Sequence, residues 1–312
     1  MKIHYLRHSE IDKEKWDAAV DQTVNGQTYA YSWYLDIMAG NWDALVTEDY
    51  ACIMPLPWNA KWLGIRQIYQ PAFIQQLGIY GKTLPDEDLI KKFLASIPAH
   101  FRYVLLQLNE QNALNEARDY SIVPRTNMLL DLSEDYETLH RNFRKSFRYC
   151  IRQAKKKELT FAVNRVTPAE LAKRYRIHIN SKVGLSEKTI IKMTELMQTA
   201  VRLEKGNIYS AHFADDSFAS GIFFAESHGR ISQLFGVSAP AGQQAKAKHY
   251  LINEVIRSKA GTKTVYDFEG SEIPAIAKFF RGFSPAEVQY YQIIRDDFPW
   301  WVKILQQVRK RF

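Results

Sequence analysis

The sequence VYDFEGSEIPAIAKFFRGF at Val265–Phe283 predicts a short buried strand, a turn and a helix that ends at Gly282. Gly270-Ser271 provides a turn signal. Pro274 is tolerated in the first helical turn because its missing N–H leaves no bond unmade there. Apolar residues then recur at helical spacing, which predicts that one face of the helix packs against a core. These residues are Ile273, Ile276, Ala277 and Phe280.

Two carboxylates follow this predicted strand. Asp267 and Glu269 flank Phe268, and the alternation of a strand predicts that they share one face. A carboxylate at the carboxyl end of such a strand can orient an acceptor amine or accept its proton. Alternatively, Asp267 holds the following turn, which is a common role for Asp before Gly-Ser. Asp267 and Glu269 are therefore the catalytic candidates, with the turn as the alternative role of Asp267.

The same residues resemble the last strand–helix unit of the Fem-type peptidyltransferases (peptidoglycan-bridge aminoacyltransferases) and their relatives in the GNAT superfamily. In that family, a strand ending in a D-F-x-G-like turn leads to a helix that ends in F-K-R-G-F. The corresponding residues here are Asp267–Gly270 and Phe279–Phe283, with Phe280 at the family's lysine position. The resemblance implies an α+β protein with two GNAT-like domains in tandem, each a mixed, mainly antiparallel sheet flanked by helices.

The order of elements in the C-terminal half is similar to the GNAT order. Periodicity predicts a strand, two helices, three strands in a meander, and then helix, strand, helix and strand. We expect an N-terminal domain at 1–133 and a C-terminal domain at 134–312. A terminal helix is expected over Pro299–Phe312, with Trp300 and Trp301 buried because large aromatic side chains usually supply core area.

A basic amphipathic helix is predicted over Ser133–Glu158. Its apolar stripe consists of Leu139, Phe143, Phe147, Ile151 and Ala154. Arg144, Arg148 and Arg152 are four residues apart and predict a row of guanidinium groups that binds successive phosphates of a tRNA end or a nucleotide-diphosphate precursor. A solvated helix face is the alternative. Fem-type proteins carry a similar basic helix at the start of their second domain.

The acyl donor stays open between acyl-CoA and aminoacyl-tRNA. GNAT enzymes that use acyl-CoA bind its pyrophosphate with a Q/R-x-x-G-x-G/A loop at a helix N-terminus. The loop at 239–248 lacks the second and third glycine positions of that pattern. Fem-type relatives take the acyl group from aminoacyl-tRNA. The further substrate-binding candidates are Gln233, Lys246 and Lys248 around this loop, and Lys278 and Arg281 on the helix that follows the strand at 265–268. For Lys278 and Arg281 an ordinary solvated helix face is the favoured alternative.

Gln75 and Gln76 are two adjacent amides in the apolar segment Phe73–Gly81, which is similar to one in GNAT-like bacterial proteins related to the Fem group. They either line a substrate cleft or form hydrogen bonds with loop backbone. Both roles stay open.

Composition narrows the class of protein. The chain has 312 residues, a formal net charge of +8 and two cysteines without metal-ligand spacing. These features favour a globular protein of a reducing compartment. The positive charge suits anionic partners, and a surface charged for solubility is the alternative, which we slightly favour. The opening residues lack a signal-peptide h-region, and no apolar run is long enough for a membrane span. We therefore expect a cytoplasmic protein without a bound metal.

The leading hypothesis is an N-acyltransferase of the Fem/GNAT type. It would transfer an acyl or aminoacyl group to an amine acceptor, either a small metabolite or a cell-wall precursor, with tRNA as a partner if the donor is aminoacyl-tRNA. The alternative is a non-catalytic module of the same fold that binds RNA or an anionic glycan or lipid.

Overall fold

The computed structural model of the protein describes residues 2–61, 64–270 and 272–302. These residues form two compact units. The first contains the described parts of Met1–Arg125 and Gln289–Phe312, and the second is Thr126–Val288. The first unit includes a C-terminal segment because residues 292–296 pair with the strand at 103–107. These bounds differ from the domains expected at 1–133 and 134–312, and that domain division stays a prediction.

The helices and strands have the following bounds. In chain order they are β1 (Ile3–Leu6), α1 (Lys13–Asp21), α2 (Ser32–Met38), β2 (Trp42–Thr47), β3 (Cys52–Lys61), β4 (Ile65–Ile68), β5 (Tyr80–Gly81), α3 (Glu87–Ala95), β6 (Phe101–Gln107), β7 (Ser121–Asp131), α4 (Tyr136–Asn142), α5 (Lys145–Lys155), β8 (Thr160–Val163), α6 (Pro168–His178), α7 (Asn180–Val183), α8 (Glu187–Arg202), β9 (Gly206–His212), β10 (Phe218–Ser227), β11 (Arg230–Ser238), α9 (Pro240–Gln244), α10 (Ala247–Lys259), β12 (Val265–Asp267), α11 (Pro274–Phe280) and β13 (Ala286–Asp296).

Each unit contains a mixed, mainly antiparallel sheet flanked by helices, which confirms the predicted α+β class. In the first unit the strand order is β1-β2-β3-β4-β6-β13, with β4 and β6 parallel and β5 paired to β3. In the second unit the order is β7-β12-β11-β10-β9-β8, with β11 and β12 parallel. The β10–β11 hairpin turns at His228 and Gly229, which both have the positive φ that tight hairpin turns require.

The predicted basic helix is interrupted, so the expectation of one helix over Ser133–Glu158 is wrong. Phe143 has an extended ψ of 146°, and α5 begins after Arg144. The break has a packing cause. Phe143 is buried against the ring of Phe283, with centroids 5.2 Å apart, and the Arg144 N–H donates to the Gly282 carbonyl at 3.0 Å.

The expected burial of the C-terminal tryptophans is wrong for Trp300, which is 74% exposed. Phe298 and Val302 take the buried positions instead, and Phe298 stacks on Tyr103 with ring centroids 5.2 Å apart. The predicted terminal helix starts as expected, with residues 300–302 helical, and its remainder at 303–312 lies outside the described residues.

Across the described chain, no helix combines the length and the apolar character needed to cross a bilayer.

Candidate functional site

The two parallel strands of the second unit are paired along only the first part of β11. β11 and β12 pair over three residues, from Arg230 opposite Val265 to Ser232 opposite Asp267. β12 then ends, whereas β11 continues to Ser238. A register shift in the β10–β11 ladder, where Phe223 faces Phe235 but Phe224 faces Gln233, bends β11 at the same level. The far half of β11, residues 233–238, thus lies beyond its pairing with β12, and five of these six residues are buried.

Asp267 lies at the end of β12, where the two strands part. Its side chain is 1% exposed and accepts a hydrogen bond at 2.9 Å from Arg230 Nη1 on β11. Its second carboxylate oxygen accepts from the Glu269 backbone N–H at 2.7 Å. Through these contacts Asp267 holds the end of β12 and the following turn. This is the alternative role that the sequence indicated for it. Sequence analysis missed Arg230, because nothing in the sequence indicates which cation lies opposite Asp267.

Glu269 does not share a strand face with Asp267, so the alternation expected from the sequence is wrong. The strand ends at Asp267, and Glu269 and Gly270 have φ values of 57° and 55°. A Cβ on Gly270 would overlap with the Thr126 carbonyl oxygen, so the turn requires glycine. Glu269 is therefore held at a tight turn beyond the strand, and its side chain is half-buried there.

Gln233 lies on β11 where its pairing with β12 has ended. It is 6% exposed, and its Oε1 accepts from the Tyr266 hydroxyl at 2.6 Å. Tyr266 is fully buried, and burial raises the pKa of its hydroxyl well above the ordinary value. Gln233 thus provides the hydrogen-bond acceptor for the buried hydroxyl of Tyr266. Its role in substrate binding stays a prediction.

The loop expected before Lys246 is a short helix, α9, packed on β10. A Cβ on Gly242 would overlap with the Ala219 carbonyl group, which explains the glycine. The N–H groups of Gln243, Ala245 and Lys246 donate to carbonyls of the same segment at 2.9, 2.9 and 3.2 Å. Three amides in the position of the expected anion-binding loop are therefore already engaged.

Lys246 and Lys248 flank the start of α10. Lys246 is exposed and has a left-handed conformation, with φ 59°. The ammonium group of Lys248 lies over the rings of Phe279 and Phe280, at 5.0 and 5.9 Å from their centroids. Burial lowers the pKa of Lys248 to about 8. The start of α10 therefore carries one exposed lysine and one half-buried lysine whose ammonium group faces aromatic rings.

His249, which sequence analysis did not select, lies between aromatic rings. Its ring centroid is 4.8 Å from that of Phe147 on α5 and 5.0 Å from that of Phe279 on α11. Burial, followed by the charges of Lys246 and Lys248, lowers the pKa of His249 to about 4. The imidazole is therefore neutral at pH 7 and adds no positive charge to this region.

A groove of about 800 Å³ runs along α5, and four cationic side chains line it. Its lining residues are His140, Lys145, Ser146, Arg148, Tyr149, Ile151, Arg152 and Lys155. The Arg152 guanidinium lies 5.7 Å from the Tyr149 ring centroid, and Tyr149 is 53% exposed. Arg148 and Arg152 were predicted to bind an anionic ligand. Tyr149, Lys145 and Lys155 were not selected, although an aromatic residue within a basic run is a sequence signal for nucleic-acid binding.

Several other predicted residues lie outside this groove. Arg144 precedes α5 and is exposed. Lys278 is exposed on α11, and Arg281 forms an ion pair with Glu287 at 2.6 Å. The roles of these three residues in substrate binding stay predictions.

Gln75 and Gln76 belong to the first unit and form part of a hydrogen-bonded amide network. Gln76 is fully buried, its Oε1 accepts from the Glu110 backbone N–H at 2.9 Å, and its Nε2 donates to Gln75 at 3.0 Å. Gln27 also donates to Gln76 at 3.3 Å. Gln76 therefore forms a hydrogen bond with loop backbone, which is the alternative role expected for it. A contact of either glutamine with substrate stays a prediction.

Within the described ranges, no group of three or more His, Cys, Asp or Glu side chains could hold a metal ion.

Comparison with solved structures shows the fold. The chain is similar to FemX with a TM-score of 0.67 and 11% sequence identity, covering 93% of this chain and 97% of that one. It is also similar to L-PGS from Bacillus licheniformis, with a TM-score of 0.54, 13% identity and 96% of each chain covered. A conserved protein of unknown function from Bacteroides thetaiotaomicron gives a TM-score of 0.56 at 11% identity, covering 91% of this chain and 96% of that one.

These likenesses extend over nearly the whole chain and confirm the Fem-type fold implied by Val265–Phe283. At 11–13% identity they show the fold alone. No protein-family model and no curated protein sequence matches the chain.

Proposed function

We propose that this protein is an acyltransferase that transfers an acyl or aminoacyl group to an amine, on a small metabolite or a cell-wall precursor. The observation that carries the proposal is that β12 ends at Asp267 and leaves the rest of β11 without it, in a chain whose fold is similar to that of FemX. In the proposed reaction an extended donor group would pair with β11 beyond its contact with β12, near residues 233–238, with Glu269 at the turn beyond β12.

The chemistry requires a proton acceptor near the amine. The amine attacks the acyl carbonyl carbon, the bond to the leaving oxygen or sulfur breaks, and the amine gives up a proton. Glu269 is the group we assign to orient the amine or accept this proton. Asp267 has a positioning role, because its carboxylate is held by Arg230 and by the Glu269 N–H.

Aminoacyl-tRNA is the donor favoured by the contacts of α9 and α5. Three amides of the segment before α10 are already bonded within that segment, so these three are not available to the pyrophosphate of acyl-CoA. The α5 groove instead offers Arg148 and Arg152 for phosphates and Tyr149 for stacking with a base. A donor of this kind places the proposed reaction in the cytoplasm.

A non-catalytic binding module is the second candidate, and the same groove favours it. Four cationic side chains in a groove of about 800 Å³ are suited to RNA or an anionic glycan or lipid, whether or not transfer follows. The two candidates differ in whether a new amide bond forms.

A donor panel separates the candidates. The purified protein is incubated with charged tRNAs or with acyl-CoA thioesters in the presence of amino acids, polyamines and cell-wall precursors, and amide products are detected by mass spectrometry. We expect products from charged tRNA, and a strong decrease in the Glu269→Gln variant with tRNA binding retained. Binding of RNA without any amide product from either donor class would support the binding module and contradict the enzyme.

A further inference from the structure

Three aliphatic side chains of the second unit are exposed to solvent within a short stretch of chain. Ile177 on α6, Val183 on α7 and Ile191 on α8 are 59%, 53% and 62% exposed. The helices α6 and α8 contact each other, and both also carry buried residues, such as Tyr175 and Ile190. The helices therefore supply core area with one face and carry further apolar area on the outer face, where contact with water is unfavourable.

Lysine side chains lie beside these apolar residues. Lys173 lines two small hollows, one of about 240 Å³ that also contains Ile177 and one of about 150 Å³ that also contains Ile191. One lysine thus borders both isoleucines. Lys188 is exposed and precedes Ile191 by three residues, so the two are neighbours on the surface of α8. We call the surface formed by Lys173, Ile177, Val183, Lys188 and Ile191 the α6–α8 face.

The charge around the α6–α8 face is positive. Residues 168–195 contain six lysines and arginines and three glutamates. Two of these carboxylates are engaged locally. Glu170 accepts from the Thr167 N–H and hydroxyl at 2.9 and 2.8 Å, and Glu187 forms an ion pair with Arg176 at 2.6 Å. This charge is complementary to an anionic partner.

The composition of the α6–α8 face favours a lipid surface over a protein partner. Protein interfaces are enriched in aromatic residues and depleted in lysine, whereas this face presents lysines and aliphatic side chains. Its two hollows are also smaller than the ~300–1,000 Å³ that is typical of ligand pockets. At a bilayer, apolar side chains enter the headgroup boundary while the ammonium groups of flanking lysines stay among the lipid phosphates.

We propose that the α6–α8 face docks on an anionic bilayer surface, with its three aliphatic side chains in the headgroup region and Lys173 and Lys188 beside lipid phosphates. The inference goes beyond the proposed function, because it concerns the surface at which the protein acts and not the bond that it forms. Each lysine near such a surface strengthens binding about fivefold.

Vesicle binding tests the proposal. The wild type and Ile177→Ser with Ile191→Ser are mixed with vesicles of equal parts phosphatidylglycerol and phosphatidylcholine, and the bound fraction is measured by co-sedimentation. Val24→Ser with Leu84→Ser is the matched control, since these side chains of the first unit are 59% and 56% exposed. We expect the wild type and the control to bind, and the isoleucine variant to bind at least tenfold more weakly.

A second variant, Lys173→Gln with Lys188→Gln, keeps the apolar side chains and tests the charge. It should bind at least tenfold more weakly than the wild type and show a flatter salt dependence. Arg148→Gln with Arg152→Gln controls for attraction by the α5 groove and should bind more tightly than the lysine variant.

The proposal is overturned if the wild type does not bind the anionic vesicles, if it binds pure phosphatidylcholine vesicles equally well, or if the control loses as much affinity as the isoleucine variant. A wild-type dimer in sedimentation that the isoleucine variant dissociates would also overturn it, because the face would then join two copies of the chain. Vesicle binding without any amide product would count against the acyltransferase proposal alone, and amide formation without vesicle binding against the docking surface alone.

Discussion

At the scale of single residues, Gly282 is a glycine for a reason that the sequence alone does not show. The sequence identifies it as the end of a helix, whereas α11 ends two residues earlier at Phe280 and Gly282 lies in the 3-10 turn Arg281–Phe283 that follows. The structure adds that the Phe147 ring lies against its Cα, where any Cβ would overlap with the ring. The contact of α5 with the F-F-R-G-F segment therefore depends on the missing side chain, which no periodicity in the sequence could reveal.

We predict that Gly282→Ala destabilises the protein by about 1–3 kcal/mol, because the added methyl group forces the Phe147 ring out of its position. Denaturant unfolding measures the change. In a Phe147→Leu background the same substitution should cost much less, since the smaller side chain leaves room for the methyl group. An equal cost in both backgrounds would show that the overlap with Phe147 is not the cause.

His249 gives a prediction about pH. The folded state keeps this imidazole neutral down to a pH of about 4, whereas the unfolded chain takes up a proton near its ordinary pKa of 6.5. The unfolded state therefore binds more protons between these values, and the free energy of unfolding falls as the pH drops from about 6.5 to about 4. His249 should contribute about 1–2 kcal/mol to this fall, once screening by solvent at its exposed side is allowed for.

Urea unfolding at pH 7 and pH 4.5 tests this contribution. His249→Gln should show a smaller loss of stability between the two pH values than the wild type, whatever its stability at pH 7. His178→Gln, a substitution at the end of α6, serves as the matched control and should keep the wild-type loss. An unchanged pH dependence in His249→Gln would mean that the imidazole titrates normally in the folded protein.

At the scale of elements, the sequence predicted the type of the basic segment but not its break. Leu139, Phe143 and Ile151 are buried as their spacing indicated. Phe143, however, is buried in an extended conformation between two helices, because its ring packs on Phe283 and the next N–H bonds to Gly282. Such a break depends on residues about 140 positions away in the chain. The consequence is that Arg148 and Arg152 line the groove on α5, whereas Arg144 precedes it.

We predict that Arg148→Gln with Arg152→Gln weakens binding of single-stranded RNA and lowers the slope of log affinity against log salt by about 1.4, because two phosphate contacts are lost. Fluorescence anisotropy at several salt concentrations measures both quantities. Lys156→Gln with Lys157→Gln is the matched control, since these exposed lysines follow α5 and carry the same charge. The thermal stability of both variants should stay near that of the wild type. Equal salt slopes for the two double variants would exclude a specific role of the groove.

At the scale of the whole molecule, local signals predicted most elements of the second unit. The strand–helix–helix–meander order from Thr160 to Ser238 follows from periodicity and turn residues, and the structure has this order with the additional four-residue helix α7 between α6 and α8. The limits of the two compact units were beyond sequence reasoning, because the first unit gains a strand from the far end of the chain. Two features of the site could not be predicted from the sequence either. Arg230 on β11 forms an ion pair with Asp267 on β12, and residues 240–244 form the helix α9 where a loop was expected.

In the proposed reaction the protein transfers an aminoacyl group from tRNA to an amine, and the α5 groove holds the tRNA. Single-turnover transfer from one charged tRNA, at a concentration below saturation, tests it most directly. We predict amide formation by the wild type, an unchanged rate in the Lys156→Gln, Lys157→Gln control and a rate about tenfold lower in the Arg148→Gln, Arg152→Gln variant. Absence of any amide product, or equal rates in the two double variants, would contradict the account.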